Sequence, residues 1–102
     1  MIIITGKIKV QSSEELARVK DALIRRAQKS RTDKGNIEYI FSQNLEDPTE
    51  IILTEKWTDI TSLQEHLQIP DEEFSTILGS ALIEQAVVLS HEVTAERTLL
   101  ER

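Results

Sequence analysis

The chain has 102 residues, 18 acidic and 12 basic, a formal net charge of −6 and no cysteine. That length holds a single domain, residues 1–102; the acidic balance argues against nucleic acid as a partner; and the missing thiols exclude disulfides, thiolate metal sites and a cysteine nucleophile. No segment approaches the roughly 20 apolar residues that span a bilayer, and Met1 to Gly6 lacks the basic start of a signal peptide, so a soluble, cytoplasmic protein with no membrane partner is expected.

The first strand is expected from about Ile2 to Val10, where Ile2, Ile4, Gly6, Ile8 and Val10 alternate with Ile3, Thr5, Lys7 and Lys9. Ser12 and Glu15 have the spacing of a capping box, and Leu16, Val19, Leu23 and Ala27 form the apolar stripe of the helix that follows. Gly35 and Asn36 are expected to close that helix. Arg25, Arg26, Lys29, Arg31 and Lys34 read as its solvated end, where cations complement the helix dipole.

A second strand runs from about Ile37 to Leu45, with Tyr39 and Phe41 on one face. A turn at Glu46–Thr49 leads to a third strand, about Ile51 to Trp57. Two strands joined so briefly make an antiparallel hairpin, since a parallel pair needs a long crossover. Two short helices follow, separated by Pro70. The first carries Ile60, Leu63 and Leu67, with Thr61 and Gln64 placed for a second capping box. The second begins near Asp71 and carries Phe74, Ile77, Leu78 and Ala81. The last strand, about Ala86 to Thr94, shows Val87, Leu89, His91 and Val93 on one face, and a charged tail occupies about 95–102.

The order strand, helix, strand, strand, helices, strand predicts an α+β, ferredoxin-like βαββαβ domain with a four-stranded antiparallel sheet. Its helices can cover one sheet face only. Yet Leu53 and Trp57 lie on one face of the third strand and Ile52 on the other, with Ile3 and Ile40 adding to a two-sided apolar pattern. A bare apolar face of that size is what monomers avoid. The expectation is a twofold homodimer, a dimeric α+β barrel, with a pocket between each sheet and its helices.

Five segments, in this order and spacing, resemble the antibiotic biosynthesis monooxygenase family. They are Ile2-Ile3-Ile4-Thr5-Gly6-Lys7-Ile8, Gly35-Asn36-Ile37-Glu38-Tyr39, Asp47-Pro48, Leu53-Thr54-Glu55-Lys56-Trp57, and Leu63-Gln64-Glu65-His66-Leu67 closed by Pro70. The resemblance extends from Ile2 to about Val93 and implies a dimeric α+β barrel. Several members of the family oxidise quinols, anthrones or related aromatics with molecular oxygen and need neither metal nor flavin; others degrade haem or isomerise a small signalling molecule. Three departures stand out. After Pro70 the family usually has His-Phe, where this chain has Asp71-Glu72 and Phe74 comes later. Thr5 stands where the haem-degrading branch has asparagine, and no histidine lies between Asp71 and Gln85. Haem ligation is therefore not expected, and no cofactor is implied.

His66 is the first catalytic candidate. It follows Leu63 by three positions, at the edge of the apolar stripe, where a half-buried imidazole can take a proton from a phenolic hydroxyl; the plainer alternative is a histidine bonded to a backbone carbonyl. Glu55, an acid on an apolar face, needs a partner: it either orients His66 or forms an ion pair across the dimer. Trp57 and Tyr39 either wall an aromatic substrate or simply pack the core, and Thr5 and Phe74 complete the candidate substrate-binding set. His91 is expected at the dimer interface. The two histidines lack the spacing of a metal site, and neither a Gly-x-Ser-x-Gly elbow nor a phosphate-binding glycine loop occurs. The expected activity is a cofactor-independent monooxygenase acting on a small quinol- or anthrone-like aromatic. The rivals are a non-catalytic dimeric module for ligand binding or stress response, and an isomerase or decarboxylase of a small carbonyl compound.

Overall fold

The computed structural model describes all 102 residues. Its elements are β1 (Ile2–Val10), α1 (Ser13–Ser30), β2 (Asn36–Asn44), β3 (Asp47–Trp57), α2 (Ile60–Gln68), α3 (Glu72–Ser80) and β4 (Ile83–Glu92). The strands form one sheet in the order β2-β3-β1-β4, and every neighbouring pair is antiparallel. This is the ferredoxin-like α+β arrangement that the element order predicts. No helix is long and apolar enough to cross a membrane.

Alternation decides which side of the sheet the helices cover. Ile2, Ile4 and Val10 of β1, Tyr39 of β2, and Ile51, Leu53 and Trp57 of β3 are buried with Val19, Ala22, Leu23 and Ala27 of α1 and Leu63 of α2. The opposite face presents Ile3, Thr5 and Lys7 beside Ile52 and Thr54, with Val87, Leu89 and His91 alongside in register. Every residue of β4 is exposed, on both of its faces.

Several boundaries differ from the expectation, each for a local reason. The hairpin turn is only Leu45-Glu46, and β3 already begins at Asp47. Pro48 falls in the register break between Gln43↔Ile51 and Asn44↔Asp47, the kind of bulge where a strand tolerates a residue without an N–H. Helix α1 stops at Ser30, earlier than Gly35. Ser12 caps it by accepting from the Glu15 amide, but Glu15 does not complete the box. Its carboxylate instead accepts the Leu82 amide at 2.6 Å and pins the start of β4. Helix α2 is capped by Asp59 rather than Thr61. Its inward face is Ser62, Leu63 and His66, whereas Ile60 and Leu67 of the expected stripe are exposed. Strand β4 begins at Ile83, three residues before the expected start.

Candidate active site

The site begins with the loop after α1. Gly35 adopts φ +81°, a left-handed conformation that favours glycine, and a Cβ there would collide with the Ser62 side chain. The missing side chain thus lets the 31–35 loop sit directly against the first turn of α2. That approach places Asp33, from the loop, beside His66, from the second turn of α2.

His66 is 2 % exposed, so the imidazole is enclosed rather than half-buried. Its Nδ1 lies 2.6 Å from Asp33 Oδ2, and its Nε2 lies 3.1 Å from Arg26 Nη2. A guanidinium only donates, so Nε2 must be the acceptor and Nδ1 must carry the proton that Asp33 receives. The two partners therefore fix one neutral tautomer. The rings of Trp57 and Tyr39 flank the imidazole, with centroids 4.6 Å and 5.8 Å away.

Arg26 departs from the expected solvated helix end: its side chain is only 11 % exposed. It projects from the inward face of α1, where Leu23, Ala27 and Ser30 also point. Phe74 lies 4.7 Å from the guanidinium carbon and Tyr39 6.0 Å from it. Arg26 Nη1 approaches Asp71, the cap of α3, at 3.5 Å, and its buried Nε–H has no acceptor. Burial pushes the Asp71 carboxyl up, but the Phe74 amide and the Lys29 and Arg26 charges outweigh it and hold the group below its ordinary value. Arg31 stays exposed, as expected of the solvated end, with its Nε donating to the Tyr39 carbonyl at 3.0 Å.

Glu55 occupies the rung between Ile4 and Tyr39, on the helix-covered face and buried. An ion pair across the open sheet face is therefore out of its reach. It makes no hydrogen bond to His66 either, since both imidazole nitrogens are held by Asp33 and Arg26; its Oε1 accepts the indole N–H of Trp57 at 2.9 Å. Burial drives the Glu55 carboxyl above its ordinary value, against the Trp57 N–H and the charge of Arg26. Burial, with help from the Glu55 charge, likewise raises the Tyr39 phenol.

Of the six candidates, Tyr39, Glu55, Trp57 and His66 converge, and Phe74 reaches the same cluster through Arg26. Thr5 does not. It lies on the opposite sheet face, where its hydroxyl meets His91 Nε2 at 3.0 Å. Asp33 and Arg26, the polar partners of His66, were absent from the expected set. Two hollows lie away from the cluster. One, of about 240 Å³, opens between α1 and the hairpin at Leu16, Lys20, Ile24 and Phe41. The other, of about 270 Å³, lies on the open sheet face at Thr5, Lys7, Ile52 and Leu89.

Residues 1–72 match the sequence model of the antibiotic biosynthesis monooxygenases, a span from β1 to the first residue of α3. The chain belongs to that family. Among solved structures, it is similar to a candidate antibiotic biosynthesis monooxygenase from Deinococcus radiodurans, with TM-score 0.87 and 21% identity over 99% of this chain and 100% of that one. A second candidate antibiotic biosynthesis monooxygenase, from Nitrosomonas europaea, has TM-score 0.78 and 17% identity over 93% and 100% of the two chains. A Mycobacterium tuberculosis protein has TM-score 0.75 and 14% identity over 96% and 100%. At such identities the likeness establishes a shared fold. No protein of curated function matches the chain. Within this monooxygenase family, Phe74 and β4 lie beyond the matched span, while Asp33, Glu55, Trp57 and His66 lie inside it.

Proposed function

We propose that the protein is a cofactor-independent monooxygenase that oxidises a small quinol- or anthrone-like aromatic with molecular oxygen. The observation that carries this reading is the line Asp33–His66–Arg26, which gives an imidazole with its acceptor nitrogen defined and its other nitrogen held by a carboxylate. His66 is the base, Asp33 the orienting group, and Trp57 and Tyr39 the walls against which an aromatic ring packs. Glu55 acts one step back, holding the Trp57 indole. The substrate anion formed by proton loss supplies electrons to oxygen, so the protein's task is to deprotonate it and keep water away. Access requires α3 to move, since Phe74 covers Arg26 and α3 itself has no fully buried residue.

The working unit in this proposal is a homodimer. The uncovered sheet face and both faces of β4 present half-buried Ile52 and exposed Val87, Val88 and Leu89, and a second copy is the simplest cover for them. A cytoplasmic location belongs to the same proposal.

One observation favours a second reading, a non-catalytic dimeric module. The acceptor nitrogen of His66 is already occupied, and neither the hollow at α1 nor the one on the open sheet face reaches it. Oxygen uptake with a panel of quinols and anthrones separates the two. His66→Ala should lower the rate about 10²- to 10⁴-fold, and Asp33→Asn should lower it less. Equal rates in wild type and His66→Ala would remove the base. Silence from the wild type across the panel, with ligands that still raise its melting temperature, would leave the module.

A further inference from the structure

Arg26 is a buried cation whose hydrogen-bonding capacity is only partly used. Its Nη2 is committed to the acceptor nitrogen of His66, its Nη1 makes a long contact with Asp71, and its Nε–H has no acceptor. The titratable groups around it are His66, Tyr39, Glu55 and Asp71, with Asp33 beyond the imidazole. Arg26 is the one member of the cluster that stays charged at any working pH. A base and a permanent cation thus converge on one point, flanked by the faces of Phe74 and Tyr39.

Resting on the base role proposed for His66, we infer that Arg26 receives the oxyanion left when an acidic hydroxyl gives its proton to His66, so that the site takes phenols and enols. The substrate oxygen replaces the direct Arg26–His66 contact, standing between the two groups. Its O–H bond breaks and an N–H bond forms at Nε2, with the electron pair left on oxygen. The new imidazolium is balanced by Asp33 and the new oxyanion by Arg26. The step needs no oxidant, and the number of charges in the buried cluster rises by a matched pair. Once displaced from the imidazole, the Arg26 Nη2 donor stands beside the oxygen on which negative charge develops, and a buried donor there lowers the cost of making that charge. Phenols and enols meet this requirement; ethers and simple hydrocarbons of the same shape do not.

The test uses 4-nitrophenol as a probe, because its anion is coloured and its ionisation is read without turnover. Bound to the full chain, its ionisation constant should rise about tenfold, one pKa unit, relative to the free probe. Arg26→Met should abolish that rise, and Arg26→Lys should retain only part of it. Unchanged ionisation on binding, an unchanged rise in Arg26→Met, or no saturable binding would overturn the inference. Should Arg26→Met fail to fold, 4-nitroanisole, which has no acidic proton, decides the matter with wild-type protein. It should bind about tenfold more weakly than 4-nitrophenol, about 1.4 kcal/mol, and equal binding would overturn the inference. The oxygenase reading is judged separately, by oxygen uptake. A probe that ionises on Arg26 in a protein inert toward every quinol would sink the oxygenase and leave the anion site standing, and the reverse result would do the opposite.

Discussion

The two ends of the sheet are built to different standards. At the β2–β3 end, α1 and α2 close over Tyr39, Trp57 and Leu63, and even the polar groups find buried partners in Glu55, His66 and Asp33. At the β4 end the chain covers nothing: Val88 is 55 % exposed on the helix-bearing side of the sheet, and Leu89 is 52 % exposed on the other. Helix α3 is intermediate, with Phe74, Ile77 and Ala81 only partly buried against Val10 and Leu23. One end is stabilised within the chain. The other is left uncovered, which is why the proposed homodimer is placed there and the proposed chemistry at the opposite end.

The largest test of that contrast is Trp57→Ala. Trp57 is fully buried and in contact with both Glu55 and His66, so its loss should cost about 3–5 kcal/mol in urea unfolding. A cost near zero would mean that the closed end is not the stable one. Second comes Glu55. Its carboxyl is raised in the folded protein, so the native state binds more protons than the unfolded chain just above the ordinary value of 4.5. Stability contributed by the protonated form is complete below that value and declines as pH rises towards the folded-state value. Glu55→Gln cannot titrate, so melting curves across this window should show the decline in wild type and not in the variant.

The third test moves to the open end. Leu89→Lys should change the stability of an isolated subunit by no more than about 0.5 kcal/mol, yet sedimentation should show the dimer shifting to monomer. A monomeric wild type would break the comparison outright. The smallest effect belongs to the exposed pair Lys9–Asp47 at 2.8 Å. The Lys9 ammonium and the Thr49 hydroxyl and amide hold the Asp47 carboxyl down from 3.8 to about 2. Its contribution is present above the unfolded value and is lost as pH falls through the folded one. Asp47→Asn should therefore differ from wild type chiefly in the slope of acid unfolding between those two values.

Much of the architecture is legible in the sequence because it rests on short-range regularities. The alternation of Ile2, Ile4 and Val10 specifies β1 and its inward face, and Ser12 and Asp71 announce the starts of α1 and α3. The candidate site is less legible because it depends on register and on contacts between distant positions. Asp33 and Arg26 lie 33 and 40 residues from His66, and no local pattern joins them. One signal for Arg26 was nevertheless available: with Leu23, Ala27 and Ser30 it follows the three-and-four spacing of a buried helix face. The five clustered cations of that segment favour a solvated end instead. Thr5 shows the limit of resemblance in the other direction. Alternation alone sets it opposite Ile4 and Gly6, but only the pairing Ile2↔Trp57 reveals that this separates it from the tryptophan.

Trp57 is the sole tryptophan of the chain, and it packs at a tilt beside His66 away from water. All the indole fluorescence of the molecule therefore originates within a few ångströms of the imidazole. Emission wavelength and quenching by acrylamide become a label-free gauge of whether the chamber is shut. A red shift that precedes the loss of helical circular dichroism would catch the chamber opening while the rest of the molecule stays folded.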